Sequence, residues 1–226
     1  MPTTTRRAPG PRGCAVRFHL GEHVHTDIIA HSVDNFPART AEGLVEFLNA
    51  VIGTDPKGPH PNAIEQFLGG HRAALTFVQI PKPIPTSFAK ESFFAVSAFR
   101  FTNTDGMSRY GRHRVLPAAG NEYLDETAAA ARSPNFLVEE IRERIGKEPI
   151  RFRVAVQLAQ DGDIIDDATV RWPEERPQRA FGEISLLEIA ATTPASSDTS
   201  SSIRSHAWMA SKPRPILSLS RAPTSI

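Results

Sequence analysis

Residues 85–117, PTSFAKESFFAVSAFRFTNTDGMSRYGRHRVLP, decide how the rest of the chain is read. Within them, residues 92–101 alternate. Phe93, Ala95, Ser97, Phe99 and Phe101 fall on one side, and Phe94, Val96, Ala98 and Arg100 on the other. Aromatic and β-branched residues at a period of two mark a strand, because successive side chains of an extended backbone point to opposite faces. Residues 102–106 (TNTDG) supply Asn, Asp and Gly, which tolerate turn dihedrals. Polar alternation resumes over residues 108–115, with Arg109, Arg112 and Arg114 in the return strand. The stretch predicts an antiparallel hairpin.

Composition bounds what surrounds it. A chain of 226 residues can bury a full core as one domain, or as one domain with tails. With 26 basic and 25 acidic residues the net charge is +1, which gives no case for nucleic acid or an anionic membrane as partner. No apolar run approaches spanning length, and residues 1–10 lack the apolar centre of a secretory signal. A single cysteine, Cys14, excludes internal disulfides and suits a reducing, cytoplasmic compartment, with the periplasm left open. Nineteen prolines argue for frequent breaks rather than a helical bundle.

In chain order, GCAVRFHL from Gly13 and VHTDIIAH from Val24 read as two strands around a GEH turn. Thr40 is a candidate N-cap for a helix with Glu42 and Glu46 near its start. Leu44, Val45, Phe47, Leu48 and Val51 make its apolar side. Residues 62–68 and 71–78 read as short helices around Gly69-Gly70, residues 120–131 as a turn or more of helix, and residues 135–145 as an amphipathic helix. Residues 150–160 and 181–189 alternate as strands. Six strand candidates with helices beside them give an antiparallel α+β domain. Alternation alone does not distinguish a barrel from an open sheet.

Several dispersed motifs resemble the catalase superfamily, in particular its small catalase-related, haem-dependent peroxidases. They are PRG-x-AVRF with the following TD-I-x-A strand, FPARTAEGLVEFLNAV, the PIPTSFAKESFFAVSAF entry to the central hairpin and its FTNTDGMSRYGRHRVLP return. DGDIIDDATVRWP, ending in Trp172-Pro173, and FGEISLLEI complete the set. The resemblance implies an incomplete catalase-like antiparallel β-barrel with flanking helices over residues 12–190. Residues 1–11 are expected to be a disordered tail, and residues 191–226 a disordered or frameshifted one. It further implies haem b as cofactor, hydrogen peroxide or an organic peroxide as substrate, and a possible oligomer.

Candidate chemistry is sparse. His19, His23, His25 and His31 form a histidine cluster, but a zinc site needs three or four convergent ligands, and H-x-H alone fits ordinary strand histidines better. The resemblance adds a third reading. His31 stands where the family has an asparagine that hydrogen-bonds peroxide, and Phe36 where a phenylalanine flanks the distal pocket. Arg12, Arg17 and Arg39 are candidates for haem propionates or for structural pairing.

The family also uses a distal histidine upstream of PRG-x-AVRF and a proximal tyrosine near the C-terminus in Arg-x-x-x-Tyr. Tyr110 and Tyr123, the two tyrosines here, stand in neither context. The expectation is therefore weak or absent haem binding and impaired turnover. The alternatives are a non-enzymatic remnant or a haem-binding module without turnover. Residues 191–226 hold ten serines and no period, which fits a disordered Ser/Pro tail. They also fit a frameshift: the codons of Trp208 and Met209 with the GC that opens the Ala210 codon, read from the third base of each codon, give Asp-Gly, which resembles part of the family's FDP…GIE segment.

Overall fold

The computed structural model describes residues 10–189, together with the backbone of Ile203–Trp208 and Ser218–Arg221. Alternation in the first part of the chain becomes a hairpin. β1 (Gly13–Gly21) pairs antiparallel with β2 (Val24–His31), in register from Gly13 opposite His31 to His19 opposite His25. α1 (Ala41–Ile52) starts at Thr40, whose hydroxyl accepts the Gly43 N–H at 3.2 Å. α2 (Ala63–Gly70) opens with a reciprocal cap between Asn62 and Glu65, and α3 (Arg72–Gln79) follows directly. Phe47, Ala74 and Phe77 from these helices form a small core with Val33. Only one side of α1 is covered by α2 and α3. Leu44 and Phe47 face that core, whereas Val45, Leu48 and Val51, expected on the same apolar side, are exposed.

The remaining elements are β3 (Phe93–Phe94), β4 (Phe99–Thr102), β5 (Ser108–Pro117), α4 (Glu126–Ala130), α5 (Phe136–Ile145), β6 (Ile150–Leu158) and β7 (Gln178–Ile189). β8 (Ile203–Trp208) and β9 (Ser218–Arg221) end the series. The strand order is β1-β2-β3-β5-β6-β7-β8, with β4 on β5 and β9 on β4, and every pairing is antiparallel. Among the described residues β1 pairs only with β2 and β8 only with β7, so the sheet curls into an open half-barrel. β8 and β9 lie within residues 191–226, which composition reads as unstructured; the rest of that stretch and residues 1–9 lie outside the described residues.

The central hairpin forms, with one correction to the single strand expected over residues 92–101. Phe94 pairs with Arg114 and Phe99 with Gly111, so five steps on one strand face three on the other. Residues 95–98 leave the ladder between β3 and β4, although the Ala95 N–H still donates to the His113 carbonyl at 3.0 Å. The faces are kept across this bulge: Ala95 packs into the main core and Ala98 packs with Trp172.

One face of the sheet carries the main core: Val16 and Ile28, Phe93, Val115, Phe152, Val154 and Ile184, closed over by Ile141 and Ile145 of α5. β5 is covered on both faces, and residues 111–115 are all buried. Gly111 shows how tight this is. A Cβ there would run into the Val156 side chain, with the Gln157 carbonyl at 3.1 Å and the Phe101 ring at 3.2 Å. Gly111→Ala is expected to cost about 1–3 kcal/mol through overpacking. Urea denaturation measures this, and an unchanged midpoint would show that β5 and β6 separate freely at this point.

Candidate functional site

β2 ends at His31, which pairs with Phe94 of β3; Phe94 pairs in turn with Arg114 of β5. Directly opposite residues share a face, so these three side chains form a row on the side away from the main core. Residues 32–39 then fold over that row. The Val33 N–H donates to His31 Nδ1 at 3.4 Å, which leaves the proton of the neutral ring on Nε2. Nε2 is buried and has no hydrogen-bond partner among the described residues. The Phe36 ring lies 5.8 Å from the imidazole, tilted by 33°. Burial pushes the His31 pKa down, and the Asp34 carboxylate partly opposes this.

Asp34 is the centre of the polar contacts beneath His31. Arg114 donates to it at 2.8 Å, and Arg171 Nε stands 3.8 Å away. Arg114 also donates to the Gln157 side-chain oxygen and lies over the Phe94 ring at 5.1 Å. Its neighbour Arg112 is 1% exposed. That guanidinium donates to the Val170 carbonyl at 2.7 Å and the Asp167 carbonyl at 3.0 Å, and stacks over Trp172 at 4.3 Å. Burial lowers the Arg112 pKa to about 10, which still leaves it charged at neutral pH. The cover over both arginines is residues 161–177. Trp172 donates its indole N–H to Ile164, Asn35 donates to Thr169, and Asp163 is bound twice by Arg176.

Of the residues singled out from sequence, His31 and Phe36 come together. Arg39, at the end of the same loop, reaches Asp166 at 3.4 Å and Asp167 at 3.7 Å. Arg17 stands apart on the β1–β2 hairpin, gripped twice by Asp27 at 2.8 Å, with its side chain 55% exposed. Arg12 is tied to buried Glu91 at 2.7 Å. Sequence reasoning missed Asp34 and Gln157, and gave Arg112 and Arg114 no role beyond their place in the return strand. Their signal is faint: charges at alternate positions of a strand read as a solvent face, and only the 161–177 cover buries them.

Among the described residues no group of three His, Cys, Asp or Glu side chains is placed to hold a metal. A depression of about 390 Å³ lined by Ala118, Arg144, Glu148 and Arg151 shares no residue with the His31 network.

No family model matches the chain. Among curated proteins it is 32% identical over 168 residues to the catalase-related peroxidase of Mycolicibacterium paratuberculosis, covering 73% of this chain and 53% of that protein. It is 28% identical over 189 residues to the catalase-related peroxidase of Synechococcus elongatus, covering 82% and 56%. Among solved structures a fungal catalase superposes with a TM-score of 0.68 at 20% identity, covering 80% of this chain and 40% of that one. The chain belongs to the catalase superfamily. It spans about half the length of the curated relatives it matches.

Membership in the catalase superfamily raises the question of haem. His31 and Phe36 fit one side of such a group: a buried, unpartnered imidazole N–H beside an aromatic ring. The described tyrosines are committed elsewhere. Tyr110 packs with Ala98 and Trp172, and the Tyr123 hydroxyl donates to Glu91 at 3.1 Å while accepting from Asn121 at 2.9 Å.

Proposed function

We propose that this chain forms the distal side of a haem-dependent peroxidase that reduces hydrogen peroxide or organic peroxides. The observation that carries the reading is His31 Nε2, buried and without a partner among the described residues. The curated relatives named catalase-related peroxidase support the reaction class. Haem, when bound, supplies the redox chemistry that divides the O–O bond. His31 would donate a hydrogen bond from Nε2 to a peroxide oxygen and so hold the molecule in place. Phe36 walls the site and keeps water out. Arg39 and Arg17 would hold haem carboxylates, each exchanging an aspartate partner to do so. The single cysteine fits a cytoplasmic setting, and no helix among the described residues is long and apolar enough to cross a membrane.

The test loads the chain with haem and follows peroxide-dependent dye oxidation at equal haem occupancy. His31→Ala is expected to lower the rate per bound haem by about 10²-fold, the lower end of what removing one positioned hydrogen-bond donor costs. An unchanged rate would remove His31 from the reaction. Bound haem that turns over no faster than free haem would favour a second reading, a haem-binding module without turnover. The placement of both described tyrosines in packing contacts is what supports that reading.

A further inference from the structure

We propose that His19 and His25, facing each other across the β1–β2 hairpin, form a two-histidine site for a transition-metal dication that favours imidazole, cupric ion above all. The type of pairing carries the geometry. The Ser32 N–H donates to the Arg12 carbonyl at 2.9 Å, so Gly13 opposite His31 is a pair that exchanges no hydrogen bonds of its own. The two kinds of pair alternate along an antiparallel ladder. Ala15 with Ile29, Arg17 with Asp27 and His19 with His25 are therefore of the same kind. Such pairs stand closest, about 4.5 Å between Cα atoms, and their side chains rise together from one face. Arg17 and Asp27 demonstrate it here, joined by two parallel hydrogen bonds of 2.8 Å. His19 and His25 come next on that face, and both are exposed.

Two imidazoles held this way can close on one ion, because the ladder fixes their Cβ atoms about 4.5–5.5 Å apart. Cupric ion takes two neighbouring positions of a tetragonal shell from such a pair, and water fills the rest. Zinc, which in structural sites draws four ligands from the protein, gains less. The spacing H-x-H groups His25 with His23, but His23 sits in the turn at φ 62°, and the ladder sets His19 opposite His25 instead. The surroundings favour a cation. Asp27 neutralises Arg17, and its pKa is lowered chiefly by that hydrogen bond and in smaller part by charge on His25 and His19, against the effect of desolvation. A positive charge at the histidine pair thus lies within the field of Asp27. His25 stands six residues before His31 on β2, about 20 Å away along an extended strand, so the pair is separate from the His31 side.

The test titrates the haem-free full chain with cupric chloride, read by calorimetry and by electron paramagnetic resonance. One cupric ion per chain is expected at this pair, with a spectrum split by two nitrogens. His19→Ala and His25→Ala should each weaken binding by about 10²-fold, because each removes the tethering of one ligand to the other. His23→Ala should bind as the wild type does. Both members of the pair are exposed, so neither truncation removes a core contact. Nickel and zinc chloride should bind at the same place more weakly than cupric ion. Affinity unchanged in either single variant overturns the proposal. So does a loss in His23→Ala as large as in His19→Ala, or a spectrum split by a single nitrogen.

Discussion

Trp172→Ala is expected to lower the stability of the chain by about 3–5 kcal/mol, the range for emptying a large aromatic from a core. Trp172 is 1% exposed, donates to the Ile164 carbonyl at 2.8 Å and lies under the Arg112 guanidinium at 4.3 Å. Its loss leaves a cavity against Ala98, frees the Ile164 carbonyl and strips Arg112 of its aromatic partner. Arg112 is buried with hydrogen bonds to the same 161–177 cover, so the damage should not stay local. Trp172→Phe retains most of the ring and loses the hydrogen bond, and should cost about 1–3 kcal/mol, the penalty of an unsatisfied buried acceptor plus a little packing. Urea denaturation of the two variants ranks them. A loss below about 1 kcal/mol for Trp172→Ala would mean that the cover contributes little to burying β5.

His113 gives the second large effect, one that depends on pH. It points to the core face of β5, among Phe99, Phe101 and Phe181 at 5.4–5.5 Å between ring centroids, and burial lowers its pKa to about 4. Its Nδ1 is buried without a partner among the described residues. An unfolded histidine titrates near 6.5, so between about pH 6.5 and 4 the unfolded chain binds the proton and the folded one does not. The contribution is therefore fully present above about pH 6.5 and is lost as pH falls toward 4. It amounts to roughly 3 kcal/mol across that window, to order of magnitude. Carboxylates add their own acid dependence, so the readout is the difference between the wild type and His113→Phe. Phenylalanine suits the aromatic cage and cannot titrate. The variant should gain on the wild type steadily from pH 7 to pH 4.5, and parallel stability curves for the two proteins would contradict the account.

Much of the sheet is legible in the sequence because period-two alternation reports burial of one face. β1, β2, β6 and most of β5 follow their patterns, and α1 begins at the residue its cap predicts. The break at residues 95–98 is invisible locally, because two extra residues leave the alternation of faces unchanged on either side of it. β7 starts at Gln178, before the apolar pattern does, since pairing to β6 extends a strand beyond the residues that need burying. β8 and β9 carry no period either; their order comes from backbone pairing with β7 and β4.

The site divides in the same way. His31 and Phe36 stand out only through the resemblance, whereas Asp34, Arg112 and Arg114 look like surface charges until residues 161–177 are laid over them. Charge in a strand pattern is ambiguous: it marks solvent unless another segment arrives to pair it.

Haem binding at the His31 side of the sheet is tested most directly by an optical titration of the full chain with haem. The predicted result is a Soret band that approaches one haem per chain only with haem in excess, as weak binding requires, with His31→Ala shifting both the band and the affinity for cyanide. Absorbance that rises without saturating, or spectra identical in the wild type and His31→Ala, would contradict it.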